Sequence, residues 1–280
     1  MKKALKITAY SLAVLTIALL GAAIAAQSPK VQTALAQKAI NILRDKIDGE
    51  LTVGRISIKP MDAVYLEDVL IIDDNPFLEE GRPRIDTLLE AGSIAARFSL
   101  RGLVDGSGIH ISSAHFTDVH FNLAIEPTTG RNTTNVQRIF RMKRSENKED
   151  KPWGNILDAD KVDIEGFRFN MVNFSALRRH EAEGRRPLPP HVISWDNFTL
   201  FSDIHARKLK VGDEIISGVV DHMTLAEKRG CNFNEVAGKV KVGKGLASIK
   251  DLHIRDAESD VYLKYYRMIG SLDDYDFFED

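Results

Sequence analysis

Apolar residues follow three different periods along this chain. Residues 7–26, ITAYSLAVLTIALLGAAIAA, hold no charge and follow Lys2, Lys3 and Lys6. At about 1.5 Å per residue such a helix is about 30 Å long, the thickness of a bilayer's hydrocarbon core. The pattern predicts a transmembrane anchor over residues 1–27, with the lysines holding its N-terminus in the cytoplasm and the rest of the chain exported. The rival reading is a cleaved secretory signal ending at the small residues around Ala23-Ile24-Ala25, and it exports the same chain. Over residues 28–50 the period becomes helical. Ser28-Pro29 supplies an N-cap and first-turn proline, Val31, Leu35, Ala39, Leu43 and Ile47 recur every fourth residue, and Gly49 stands where a C-cap glycine belongs. This amphipathic helix lies on the membrane, plugs the end of a β structure, or packs on the following sheet.

From Leu51 the period becomes two. TVGRISI (52–58), VYLEDVLIID (64–73), IHISSAHFTDVHFNLAI (109–125) and KVDIEGFRFNMV (161–172) are rich in β-branched and aromatic residues and read as strands. A helical interruption is expected at TNVQRIFRMKR (134–144), running into the charged loop 145–152. SALRRHEAEGRRPLPPH (175–191) is a second candidate for a helical interruption and reads better as a basic, proline-containing surface loop. Within the strands one pattern recurs: apolar–x–apolar–x–(Asp, Gly or Asn)–apolar–x–apolar. Its copies are VYLEDVLI (64–71), AHFTDVHF (114–121), VDIEGFRF (162–169), ISWDNFTL (193–200) and ASIKDLHI (247–254), spaced by 50, 48, 31 and 54 residues. In each copy the apolar parity switches at the middle residue. Side chains alternate faces along a strand, so a switch requires one extra residue, a bulge or bend at a residue type that tolerates unusual φ. Apolar residues before and after the break then face the same side. The expected architecture is a curled antiparallel sheet of repeated units over residues 51–280, mainly β, with an apolar inside and a polar outside.

Composition narrows the function. The 280 residues are 44% hydrophobic and 28% charged with a formal net charge of −2, which gives no concentrated positive surface for nucleic acid. The single cysteine, Cys231, allows no intrachain disulfide, so an exported domain of this kind is held by burial. No P-loop, G-x-S-x-G or H-E-x-x-H motif occurs, and no Cys/His/carboxylate cluster has metal-ligand spacing. His110, His115 and His120 recur every five residues, and bulges between them argue against a shared face. His120, Arg168, Thr199 and His253 occupy the outward, solvated position of their repeats. The sequence therefore predicts neither an enzyme nor a cofactor. The sequons at Asn132, Asn173 and Asn197 read as accidents.

A lysine-flanked anchor, an amphipathic helix, and strands reading L-x-D-V-x-I (66–71) and I-K-D-L-H-I (249–254), followed by RDAESDVYL (255–263), resemble the N-terminal part of the AsmA-like and TamB-like proteins of diderm bacteria. The translocation and assembly module subunit is among them. The resemblance spans most of the chain and rests on arrangement more than on any one residue. It implies an inner-membrane, single-pass protein with its bulk in the periplasm. Such a protein builds a repeating β-groove of the bridge-like lipid-transfer kind, which moves phospholipid towards the outer membrane and supports outer-membrane biogenesis. It also implies that these residues are the front of a longer protein, whose further regions meet an outer-membrane assembly-barrel partner. The acidic ending SLDDYDFFED (271–280) follows a strand-like segment that would otherwise leave an open sheet edge.

The expected lipid-lining residues are the apolar positions after each break: Val69, Ile71, Val119, Phe121, Phe167, Phe169, Phe198, Leu200, Leu252 and Ile254. The competing assignment places them in a dry core between two sheets. A membrane-tethered scaffold that docks assembly factors through strand edges is the alternative function, and an exported hydrolase has no constellation to support it.

Overall fold

The structure, a computed structural model, describes residues 48–59, 63–82, 84–99, 109–128, 131–139, 157–184, 188–189, 192–194, 196–211, 215–243 and 246–269. The expected anchor and nearly all of the expected amphipathic helix lie outside these residues. Among the described residues no helix is long and apolar enough to cross a membrane. The elements are β1 (Gly49–Lys59), β2 (Ala63–Asp73), β3 (Thr87–Ser99), β4 (Ile109–Thr128), β5 (Arg131–Thr134), α1 (Asn135–Ile139), β6 (Leu157–Asn173), α2 (Phe174–Ala182), β7 (Asn197–Val211), β8 (Ile215–Glu227), β9 (Asn232–Gly243), β10 (Leu246–Arg255) and β11 (Asp260–Ile269).

All of these strands join one sheet in the order β1-β2-β3-β4-β6-β7-β8-β9-β10-β11, with β5 paired to β4. The described strands therefore supply no second sheet, and the expected alternative of a dry core between two sheets does not hold for them. The sheet is uncurled: β1 and β11 are separate edges, where the parity breaks had predicted a trough. One pairing departs from the antiparallel expectation, since β4 and β6 run parallel. The β5 hairpin and α1 turn the chain back at the end of β4, and residues 140–156 connect α1 to the start of β6. A parallel pair needs such a crossover of about a dozen residues or more.

The parity breaks have a clear backbone cause. Asp68, Asp118, Gly166 and Asp251, the middle residues of four of the five repeats, all have φ between 51° and 67°. Each inserts one left-handed residue, and the apolar positions on either side return to one face. In β2, Val64 and Leu66 before the break share a buried cluster with Val69 and Ile71 after it. The breaks also sit at one level across the first strands. Gly54 and Gly92 flank Asp68 in the register, and a Cβ on Gly54 would come within 2.9 Å of the Asp68 Cβ. A Cβ on Gly92 would lie 3.3 Å from that of Asp118, whose Oδ1 is 3.0 Å from the corresponding point on Gly166. Glycine on one strand thus admits the bulged aspartate of the next. The copy at 193–200 is a correction: residues 193–196 precede β7, Asn197 only opens it, and β7 has its left-handed residue at Lys208 (φ 54°).

Two further expectations change. Gly49 opens β1 and does not cap a helix; a side chain there would strike the Ile72 carbonyl. The segment expected as a basic loop contains α2, begun by Asn173, whose side chain accepts a hydrogen bond from the Ala176 N–H and whose neighbours Phe174 and Ala176 are buried. The expected interruption after Thr134 does contain a helix, α1, which closes one end of the sheet. Val136 and Ile139 enter the main apolar cluster. Buried Asn135 accepts from the Ala124 and Val136 N–H groups and donates to the Asn122 carbonyl. Arg138 bridges two buried carboxylates, Asp73 at the end of β2 and Glu126 at the end of β4. Burial works against the guanidinium charge, but the hydrogen bonds and negative charge of both partners outweigh it and hold its pKa above the ordinary arginine value.

Two stability outcomes follow. Asp118→Val places a β-branched residue at positive φ and lowers unfolding free energy by about 1–3 kcal/mol in urea titrations, whereas Asp118→Gly is close to neutral. Arg138→Met strands two buried carboxylates and lowers stability by about 3–5 kcal/mol. Adding Asp73→Asn and Glu126→Gln in the same chain recovers much of that loss.

Candidate functional site

Directly paired residues of neighbouring strands project to the same face, so the register can be followed across the sheet. Starting at Ile56, it runs through Leu66, Ile94, Phe116 and Ile164 to Ile204, Met223, Val236, Ile254 and Val261. That is one residue from each strand of the main path, from one edge to the other, and every one is apolar. A parallel row of bulkier groups runs Leu51, Ile71, Leu89, Phe121, Phe169 and Leu200, and ends at the buried carboxylate of Glu227. On the other side of the first row lies a row of small residues, Val64, Ala96, Ala114, Val162, Ala206, Val220 and Gly238. The long row is thus flanked by a strip of small side chains on one side and a strip of larger ones, with the Phe121 and Phe169 rings at its centre, on the other.

All ten expected lining residues lie on this face, and eight of them gather in two adjoining clusters. Val69, Ile71, Val119, Phe121 and Phe167 belong to the cluster closed by α1, and Phe169, Phe198 and Leu200 form the adjoining one. The Phe121 and Phe169 rings stack with centroids 5.9 Å apart, and Phe169 meets Phe198 at 5.7 Å. Leu252 and Ile254 are half-buried on β10, far along the sheet from both clusters; Ile254 belongs to the long apolar row. Sequence reasoning missed β3, which supplies Leu89, Ala91 and Ile94 to the same face. Its single-residue bulge at Leu88 and the parity switch at Gly92 blur the alternation. The signal that could have found it is Gly92, the partner of two bulged aspartates.

Along this face most of the row residues are half-buried, and among the described residues α1 covers the end near Leu51 and Val69. The opposite face buries a small apolar cluster, Ala124, Val172 and Phe174, beside α2 and is otherwise charged and cross-linked strand to strand. Arg55 pairs with Glu67 at 3.1 Å, Arg207 with Asp221 at 2.8 Å, and Lys239 with Asp251 at 2.6 Å. His110, His115 and His120 all lie on it, beside Asp160, Glu165 and Glu90 at 3.2, 3.9 and 3.5 Å. The expectation that bulges would scatter them is corrected: the two irregularities, between Ile111 and Ser113 and at Asp118, each restore the parity that a five-residue step would lose. Such an ionic face has no use as a buried layer, so the apolar side alone is suited to an apolar ligand.

Compared with known proteins, the chain matches no protein-family model and no curated relative.

Asp163 on β6 allows the charged face to be tested. Burial raises its pKa, but hydrogen bonds from Lys161 and His205 outweigh this and leave it below the ordinary carboxylate value. A carboxylate whose pKa is depressed by folding stabilises the fold above its unfolded pKa of about 3.9, and that contribution is lost as pH falls through the folded value. Asp163→Asn is therefore less stable than the parent chain at neutral pH. The gap narrows as pH falls below about 4, as read by thermal melting across a pH series.

Proposed function

We propose that this protein holds phospholipid acyl chains on the apolar face of its sheet and passes them along the rows that cross the strands, as a membrane-anchored periplasmic carrier between inner and outer membranes. The observation that carries this reading is the unbroken apolar row from Ile56 to Val261, most of it half-buried with no second sheet over it among the described residues. Each acyl CH₂ moved out of water contributes about 0.8 kcal/mol, so a two-chain lipid is held strongly wherever it lies on such a face. Successive strands offer nearly the same surface, so a lipid moving by one strand exchanges one set of apolar contacts for a similar set. The strip of small residues gives the chains depth, and the strip of larger ones gives them a wall. The charge-free stretch at residues 7–26 supplies the source membrane, and the resemblance to AsmA-like and TamB-like proteins agrees with this direction of use.

A second reading is favoured by one feature. β11 is an edge strand whose Val261, Tyr262, Leu263, Tyr265 and Tyr266 are all exposed, which suits a scaffold that recruits an assembly factor by strand addition.

Site-specific photocrosslinking of the full chain in growing diderm cells separates the two. A benzophenone amino acid at Phe116, Ile164 or Ile204 is expected to form adducts with radiolabelled phospholipid. The same group at His115, Glu165 or His205, on the charged face, is expected to give none. Protein adducts confined to β11, with no lipid adduct anywhere on the row, would establish the scaffold reading instead.

A further inference from the structure

The charged face carries its own pocket, a cavity of about 480 Å³. Its floor follows from the register at the far ends of β4, β6 and β7. One row is Glu90, His120 and Arg168, the next is Asn122, Asn170 and Thr199, and the last is Val172 and Asn197. The Arg84–Thr87 segment leading into β3 forms one wall, and Lys228 in the turn after β8 forms the other. These groups come from strands far apart in sequence, which is why no local motif announced them.

The floor is built to present polar groups in fixed positions. Asn170 Nδ2 donates to Asn122 Oδ1 at 2.6 Å, and Asn122 Nδ2 donates to the Thr87 carbonyl at 2.9 Å. This amide chain orients the Asn170 carbonyl oxygen, which accepts no hydrogen bond from the described residues. Thr199 is 9% exposed and its hydroxyl is likewise without a partner among them. The charges divide unevenly. Arg84 is paired with Asp86 at 3.0 Å, and Glu90 lies 3.5 Å from His120. Arg168 and Lys228 have no carboxylate partner among the described residues. Arg168 is steadied by the Phe201 ring, 5.8 Å from its guanidinium carbon, while the Lys228 backbone N–H donates to the Thr199 carbonyl at 3.0 Å and so fixes its main chain at the rim of the pocket.

A ring-backed guanidinium and a rim lysine, neither with a carboxylate partner among the described residues, beside amides and a hydroxyl match a ligand with a phosphate at one end and hydroxyls along its body. The volume is that of an ordinary small-molecule site. We infer that this pocket binds a phosphorylated polyol, with the phosphate between Arg168 and Lys228 and the hydroxyls on Asn170, Asn197 and Thr199. Free sugar phosphates and phosphorylated polyol headgroups of lipids share this chemistry. The site lies on the face opposite the apolar rows, so it stands or falls independently of lipid carriage there.

The test is calorimetric titration of the full chain in amphipol with glucose 6-phosphate, glucose and inorganic phosphate. Glucose 6-phosphate is expected to bind at least about tenfold more tightly than either fragment. Arg168→Ala and Lys228→Ala each weaken it about tenfold, Asn170→Ala weakens it severalfold, and Arg55→Ala, elsewhere on the same face, leaves it unchanged. Because Lys228 is an exposed turn residue, its variant reports on the site even where Arg168→Ala perturbs β6. Phosphatidylcholine vesicles bearing phosphatidylinositol 4-phosphate distinguish the source. Recruitment lost in Lys228→Ala assigns a lipid headgroup, and soluble binding without recruitment assigns a free sugar phosphate. The proposal is overturned by no binding of glucose 6-phosphate, or by inorganic phosphate binding equally well with Asn170→Ala without effect.

Discussion

Side chains of a β-strand alternate between faces, and any insertion of one residue sends everything beyond it to the wrong side. This sheet depends on making that insertion repeatedly and at matching levels. Asp68, Asp118, Gly166 and Asp251 each take a left-handed backbone conformation inside a strand, and on the first strands glycines face them across the ladder. Aspartate and glycine are among the residues that enter this region at low cost, and the missing Cβ of Gly54 and Gly92 leaves room for the bulged neighbour. Strands long enough to cross a wide face can therefore stay apolar on one side along their length. Without these breaks, Phe121 and Phe169 would face the charged side and the rows would not exist.

Among the described residues no second sheet covers this one, and its order comes from within. The strand ladder, the aromatic contacts between β4, β6 and β7, and the cross-strand ion pairs of the outer face supply it. Exposed ion pairs of this sort are each worth about a kcal/mol or less, so they fix register and solubility more than they stabilise. The strong anchoring is concentrated at one end. There α1, Asn135 and the Asp73–Arg138–Glu126 bridge tie β2, β4 and the start of β1 into a buried polar lock. Away from that end the apolar surface is half-buried among the described residues, and an apolar partner laid on it would recover burial that they do not provide.

The two faces thus divide the chemistry. The apolar rows run across the strands and suit a long, flexible, non-directional ligand. The pocket at the ends of β4, β6 and β7 is compact, amide-floored and cationic, and suits a small ligand recognised by hydrogen bonds. Both use the same three strands. Phe121, Phe169 and Leu200 project one way, while the neighbouring His120, Arg168 and Thr199 project the other.

Much of this was legible in the residues themselves. Alternating apolar positions predicted β1, β2, β4 and β6 nearly to their ends, and the parity switches located four of the left-handed residues, because both are properties of a strand and its immediate neighbours in sequence. Eight of ten expected face residues come together for the same reason. Other features were decided only in three dimensions. A loose apolar pattern cannot show whether a strand begins before or after a break, so 193–200 was misread; nor can basic composition show that Asn173 caps α2. The parallel pairing of β4 with β6, the open edges of the sheet and the alignment of ten apolar residues depend on which strands pair and in what register. The polar pocket depends on the same register, with its floor drawn from strands dozens of residues apart. Local periodicity determines which face a side chain takes on its own strand. Hydrogen bonding between distant segments determines which side chains share that face as neighbours.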